Sequence, residues 1–177
     1  VVNHTHNQTY DEKCGFFGFF EAIDSAAALK LLICAESYLA QEGMERMRGP
    51  CNPSTNYEIG CLVKGFSDPP QIMMTYNPRK YGEWIEQSGA QAVMDLLAYQ
   101  LPLNVGMSPL ITRIAQRAER SNSISYRSAS KKDWDREVDI MMEIYNSAWE
   151  KNWGFIPVST KEFRHIANDL KSVVDPE

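Results

Sequence analysis

Four phenylalanines flank a glycine in GFFGFFEAID, residues 15 to 24, with only fourteen mostly polar residues ahead of them. Phe16, Phe17, Phe19 and Phe20, followed by Ala22 and Ile23, leave no polar face, and a run apolar on both sides reads as a central strand covered from above and below. Gly18 is then expected to be a bulge or a point of close backbone approach. A strand of this kind requires neighbouring strands and helices to cover it, so the chain is expected to be α/β. Its sheet should be mixed but mostly parallel, with helices on both faces.

The residues that follow support a β-α-β start. Asp24 or Ser25 can cap a helix, because a short side-chain oxygen satisfies the free amides of the first turn. Leu29, Leu32, Ile33 and Leu39 give that helix an apolar stripe, and Gly43 ends it. MERMRG, 44 to 49, alternates as a second strand, parallel to the first through a right-handed crossover. Thr55 and Glu58 have capping-box spacing, which predicts a short helix over 56 to 64 closed by Gly65. QIMMTY reads as a strand. Asn77 caps a helix with Pro78 in its first position and Gly89 at its end, and AVMDLLAYQL, 92 to 101, reads as the next strand.

Residues 1 to 101 thus form one expected region. A connector at 102 to 122 follows, with a capped helix from about Ser108 to Arg120. From 123 to 177 the expectation is one strand, SISYRSAS, and two helices. The first starts at Ser130 and Asp133, carries Trp134, Val138, Met141, Tyr145 and Ala148 on one face, and ends near Asn152. The second is capped by Ser159 or Thr160 and turns Phe163, Ile166 and Leu170 inward.

Composition narrows the function classes. The 177 residues carry a net charge of −5 with a pI near 5.3, so no global field attracts nucleic acid. No apolar run approaches the ~20 residues of a membrane span, and the first residues lack the basic-then-apolar order of a signal peptide. Cys14, Cys34, Cys51 and Cys61 show no zinc spacing and are expected to be reduced, buried thiols of a cytoplasmic protein. His4 and His6 fall in a terminus expected to be mobile, with no carboxylate in fixed register, so no metal site is expected. His165 and Asp169, at i and i+4, read as a surface pair.

The richest concentration of neutral hydrogen-bonding groups is Asn52, Ser54, Thr55 and Asn56, in a loop after the carboxyl end of the second strand, where α/β sheets place ligands. These residues, with Arg48 to attract a carboxylate or phosphate, are the candidate substrate-binding set. The competing reading is a turn whose polar groups bond one another.

GFFGFFEAID, RMRGPCNPSTNYE with YNPRKY downstream, and NSAWEKNWGFIP together resemble uncharacterised bacterial proteins of the Gcn5-related N-acetyltransferase (GNAT) superfamily that carry two such folds in tandem. The resemblance spans nearly all of the chain. It implies an acyl-CoA N-acyltransferase fold in which residues 1 to 101 are the C-terminal half of one domain, GFFGFFEAID being its fourth strand. Residues 123 to 177 are then the opening of a following unit, packing back on the sheet in cis or within an exchanged homodimer. The implied activity of the intact protein is transfer from acetyl-CoA, or another acyl-CoA, to an amine, with Gly18, Ser25 and Ala26 nearest the cofactor. The phosphate-binding turn of this family is glycine-rich, whereas here it reads EAIDSAAALK and places Asp24 beside the phosphates. The tyrosine that protonates the leaving thiolate would sit four residues before Gly89, where Ile85 stands. Tyr81, one turn earlier, is the remaining candidate acid. The resemblance therefore implies a catalytically degenerate acyltransferase segment. The alternative is a non-catalytic module that binds a small metabolite or a partner through the 49-to-60 loop.

Overall fold

A computed structural model describes residues 1–71, 73–102, 104, 106–120 and 124–171. The fold is mixed α/β, and the chain divides into two units, residues 1–95 with 145–158 and residues 96–144 with 159–177.

The first unit begins with a helix where a mobile terminus was expected. Helix α1 (His4–Tyr10) is capped by Asn3, whose side chain accepts from the His6 amide at 3.0 Å, and it closes on Asp11 in the left-handed region. Strand β1 (Cys14–Phe16) leads to helix α2 (Ser25–Gln41), capped by Asp24, and then to strand β2 (Arg46–Arg48). Strands β1 and β2 pair in parallel, with Cys14 opposite Arg46 and Phe16 opposite Arg48, so the expected crossover unit is present. Helix α2 buries Ala28, Leu32 and Leu39, while Ile33 faces solvent. Gly15 is required by this packing: a Cβ there would stand 2.3 Å from Leu39 Cδ2.

The phenylalanine run is not one long strand. It leaves strand geometry after Phe16, because Phe17 O accepts from Cys51 N at 2.8 Å and Asn52 Oδ1 accepts from Phe19 N at 2.5 Å. Those bonds turn the chain, holding Phe19 at φ 50 with 75% of its surface exposed, and Ile23 is exposed as well. Phe16 is covered by the His6 ring, set perpendicular to it, and by Cys14 and Cys51. Val1 and Val2 run antiparallel along Gly15 and Phe16. Phe17 and Phe20 meet edge to face, and Phe20 packs on Tyr81.

Beyond β2 the expected alternation of strands and helices gives way. Strands β3 (Cys51–Asn52) and β4 (Glu58–Ile59) form an antiparallel hairpin where a helix over 56 to 64 was expected. The capping box does not form because the Thr55 hydroxyl bonds Gly154 O instead of the Glu58 amide. Helix α3 (Lys80–Gln87) begins two residues after Pro78, since Asn77 spends its side chain on Leu62, accepting from its N at 2.7 Å. Ile72 lies outside the described residues, and the rest of QIMMTY forms no strand. Nor does 92 to 101, where Val93, Leu97, Tyr99 and Leu101 are exposed. Among the described residues each sheet has two strands, so the parallel sheet stops at β1 and β2.

In the second unit, helix α4 (Pro109–Arg120) follows Ser108, whose O accepts from Thr112 N. The expected strand 123 to 130 starts outside the described residues, and 124–130 is not a strand. A 3₁₀ turn (Lys131–Asp133), capped by Ser130, leads into helix α5 (Trp134–Trp149), which contributes 134–144 to this unit. Helix α6 (Thr160–Leu170) is capped by Ser159. Trp134, Val138 and Ala167 make the core here, with Phe163 packed against it. Met141 and Ala148, expected on the inward stripe, are exposed, and Ile166 is half-buried; the side chain of Leu170 lies outside the described residues.

Candidate functional site

Two groups of predicted residues flank the turn that follows β1. At Gly18 an added Cβ would stand 2.1 Å from Cys51 O and 2.6 Å from Asn52 Oδ1, so the close backbone approach is to the hairpin of the same chain. A cleft of about 230 Å³ opens at the carboxyl end of β1, walled by Phe17, Gly18 and Phe19 of the turn, Tyr38 of α2, and Cys51 and Pro53 of the hairpin. Ser25 and Ala26 form the first turn of α2. The amide of Ala27, next in line, is already bonded at 2.8 Å to the Asp24 carboxylate.

Tyr81 is buried at the same turn. Its hydroxyl donates to Glu21 Oε2 at 2.6 Å and accepts from Ala22 N at 3.1 Å. The Glu21 carboxylate is the main reason its phenol titrates above the ordinary range. A hydroxyl engaged in this way latches α3 to the turn, and it must leave Glu21 before it can serve as an acid.

The loop residues are brought together, and much of their polarity is directed at their own chain. Asn52 holds Phe19 N and donates to Glu58 Oε2 at 3.4 Å. Ser54 Oγ accepts from Asn56 N at 3.2 Å. Thr55 and Asn56 bond the carbonyls of Gly154 and Ile156, the latter at 2.7 Å. Asn56 Oδ1 is buried without a partner. Arg48 is engaged elsewhere: it donates to Glu12 Oε2 at 3.1 Å and sits over the Trp153 ring.

Arg48 leads to a cluster that sequence reasoning missed. The left-handed residue Asp11 turns the chain so that Glu12 and Cys14 return beside His6, with ligand atoms all within 4.8 Å of one another. His6 and Cys14 are fully buried, and Glu12 is partly so. Burial lowers the His6 pKa and raises those of the Cys14 and Cys51 thiols, the latter to about 11. The signal available in the sequence was Asn3, an N-cap residue placed three before His6, followed by the turn-forming Asp11. The cysteines are all free thiols; Cys34 is exposed on α2 rather than buried, and Cys61 is half-buried. His165 and Asp169 form the expected exposed pair, at 3.7 Å.

No family model matches the chain, and no solved structure matches it. The chain is similar along nearly its whole length to Protein YghO of Escherichia coli (strain K12). The two are 31% identical over 175 residues, covering 98% of this chain and 44% of that protein. It is also 35% identical over 162 residues to a protein named bacterial ceramide synthase from Caulobacter vibrioides (strain NA1000 / CB15N), covering 91% of this chain and 42% of that one. The chain spans under half the length of either. Among the described residues no helix is long and apolar enough to cross a membrane.

Proposed function

We propose that the chain is part of a GNAT-like N-acyltransferase that moves an acyl group from a coenzyme A thioester to the amine of a long-chain base. In that reaction the amine attacks the thioester carbonyl, the carbon–sulfur bond breaks, and the amine proton ends on the thiol. The observation that carries this reading is the cleft at the carboxyl end of the parallel strand β1, between α2 and the hairpin, on the side of the sheet where parallel α/β units receive ligands. At about 230 Å³ it is smaller than most whole-ligand pockets and suits the pantetheine end of a cofactor. The name of the Caulobacter relative supports the choice of acceptor, because a ceramide is an amide of a fatty acid with such a base. Residues 1 to 101 are then the C-terminal half of one domain, and 123 to 177 the opening of the next.

Within this reading the chain's own chemistry is degenerate. Asp24 occupies an amide that would face the pyrophosphate and adds a negative charge beside it. Tyr81 is engaged by Glu21. The module reading is weaker because Asn52, Ser54 and Thr55 spend their side chains within the chain.

The test is to incubate the full-length protein with a long-chain acyl-CoA and a sphingoid base, following thiol release and the amide by mass spectrometry. Neither product forming would reject the proposal. Ala35→Leu, at the cleft wall, should raise the KM for acyl-CoA and leave that for the amine unchanged. Asp24→Asn keeps the helix cap while removing the charge, so it should tighten coenzyme A binding; a weaker or unchanged Kd would place the cofactor elsewhere.

A further inference from the structure

The polar cluster at His6, Glu12 and Cys14 lies outside the acyltransfer reading. Its histidine is fully buried between the Tyr10 ring, at 4.7 Å between centroids, and the perpendicular Phe16 ring at 4.9 Å. Nδ1 has no hydrogen-bond partner, and Nε2 has only the 3.4 Å approach of Arg48 Nη1. A buried imidazole so poorly satisfied is costly unless something takes its lone pair. Glu12 Oε2 lies 3.9 Å from His6 Nε2, and the Cys14 thiol completes a set of one nitrogen, one oxygen and one sulfur donor.

We propose that His6, Glu12 and Cys14 form a binding site for a zinc-like divalent cation, in competition with the Arg48 guanidinium for the Glu12 carboxylate. A mixed nitrogen, oxygen and sulfur set is the donor chemistry of zinc. In a tetrahedral site with bonds of about 2.0–2.3 Å, donors stand roughly 3.3–3.8 Å apart. Separations within 4.8 Å therefore call for a contraction of about 1 Å, which rotation of the Glu12 and Cys14 side chains can supply.

Charge balance explains the present arrangement. With a neutral thiol the Glu12 carboxylate is the cluster's one anion, and Arg48 neutralises it at 3.1 Å. When a dication binds, the thiol proton leaves. The thiolate and carboxylate together then offset the two positive charges, and Arg48 becomes surplus. Its guanidinium already stands 5.2 Å from the centroid of the Trp153 ring, a face that can hold it once Glu12 is taken. Three protein ligands leave a fourth position for water or another small ligand.

The test uses the purified protein carrying Cys34→Ser, which removes the exposed thiol, after treatment with EDTA. Titration with Co²⁺ should give one ion per chain and a thiolate-to-cobalt charge-transfer band that excess Zn²⁺ abolishes. Cys14→Ser should remove the band, and His6→Gln should weaken binding at least tenfold. Because either variant can disturb folding, the decisive variant is Arg48→Met, which should bind Co²⁺ and Zn²⁺ about tenfold more tightly. Absence of the band, its survival in Cys14→Ser, or weaker binding by Arg48→Met each overturns the proposal.

Discussion

The two units build their interiors differently. The first surrounds a small apolar cluster of Cys14, Phe16 and Cys51 with side-chain bonds to distant backbone. Tyr10 donates to Phe155 O, Asn56 to Ile156 O, and Asn146 brackets Val158 by both its N and O. In the second, Trp134 and Val138 of α5 meet Ala167 and Phe163 of α6, aided by Trp134 Nε1 donating to Asn168. Helix-on-helix contact needs only the correct apolar spacing. A network of polar clamps needs each partner in place, because a buried group left unpaired costs more than the bond contributed.

The largest effect that would sharpen this contrast is at the centre of the first unit. Phe16→Ala should lose about 3–5 kcal/mol in urea unfolding, because Phe16 is only 4% exposed and its removal opens a cavity beneath His6. A loss near zero would mean that the strands are held by the clamps alone. The clamps are tested next. Asn146→Ala leaves the N–H and C=O of buried Val158 unbonded and should cost about 2 kcal/mol. If it costs no more than an exposed substitution, the polar network is ornamental and the two units differ only in secondary structure.

A smaller effect is expected at the turn after β1. Asn52→Ala removes the acceptor that holds Phe19 N and should cost about 1 kcal/mol. The cost should shrink when Phe19→Gly is also present, since glycine adopts φ 50 without a Cβ penalty and little packing is lost from a side chain 75% exposed. Equal costs in both backgrounds would show that the turn is not strained.

The same physics explains what the sequence made legible. Local rules read well: the Asp24, Ser130 and Ser159 caps and the β1-α2-β2 crossover depend on residues a few positions apart or on a clear period. The long strand over GFFGFFEAID failed because its end is set from 33 residues away by Asn52, which binds Phe19 N. The helix over 56 to 64 failed because Thr55 bonds Gly154, 99 residues on. Apolar spacing at 92 to 101 was strand-like, yet a strand exists only where another pairs with it, and among the described residues neither sheet takes this segment in. The candidate loop was legible as a concentration of polar groups, but not which carbonyls they would satisfy. The His6 cluster escaped because its geometry is created by one left-handed residue, Asp11.

The smallest effect, and the one confined to the second unit, is in pH. Glu137 Oε1 accepts from Arg127 Nη1 at 2.6 Å, and this bond is the chief reason its carboxyl titrates below the ordinary value of 4.5. A carboxylate whose folded pKa is depressed stabilises the fold fully above the unfolded value and loses that contribution as pH falls through its folded pKa. The tie between α5 and the segment that precedes it should therefore weaken below about pH 4.5, more gently than a buried pair would, because Arg127 is 57% exposed and water screens the interaction. Glu137→Gln should flatten that part of the stability–pH profile, followed by the fluorescence of Trp134 beside the contact. If the slope is the same in the variant, the acid sensitivity belongs to other carboxylates, and the second unit, like the first, depends on more than its apolar seam.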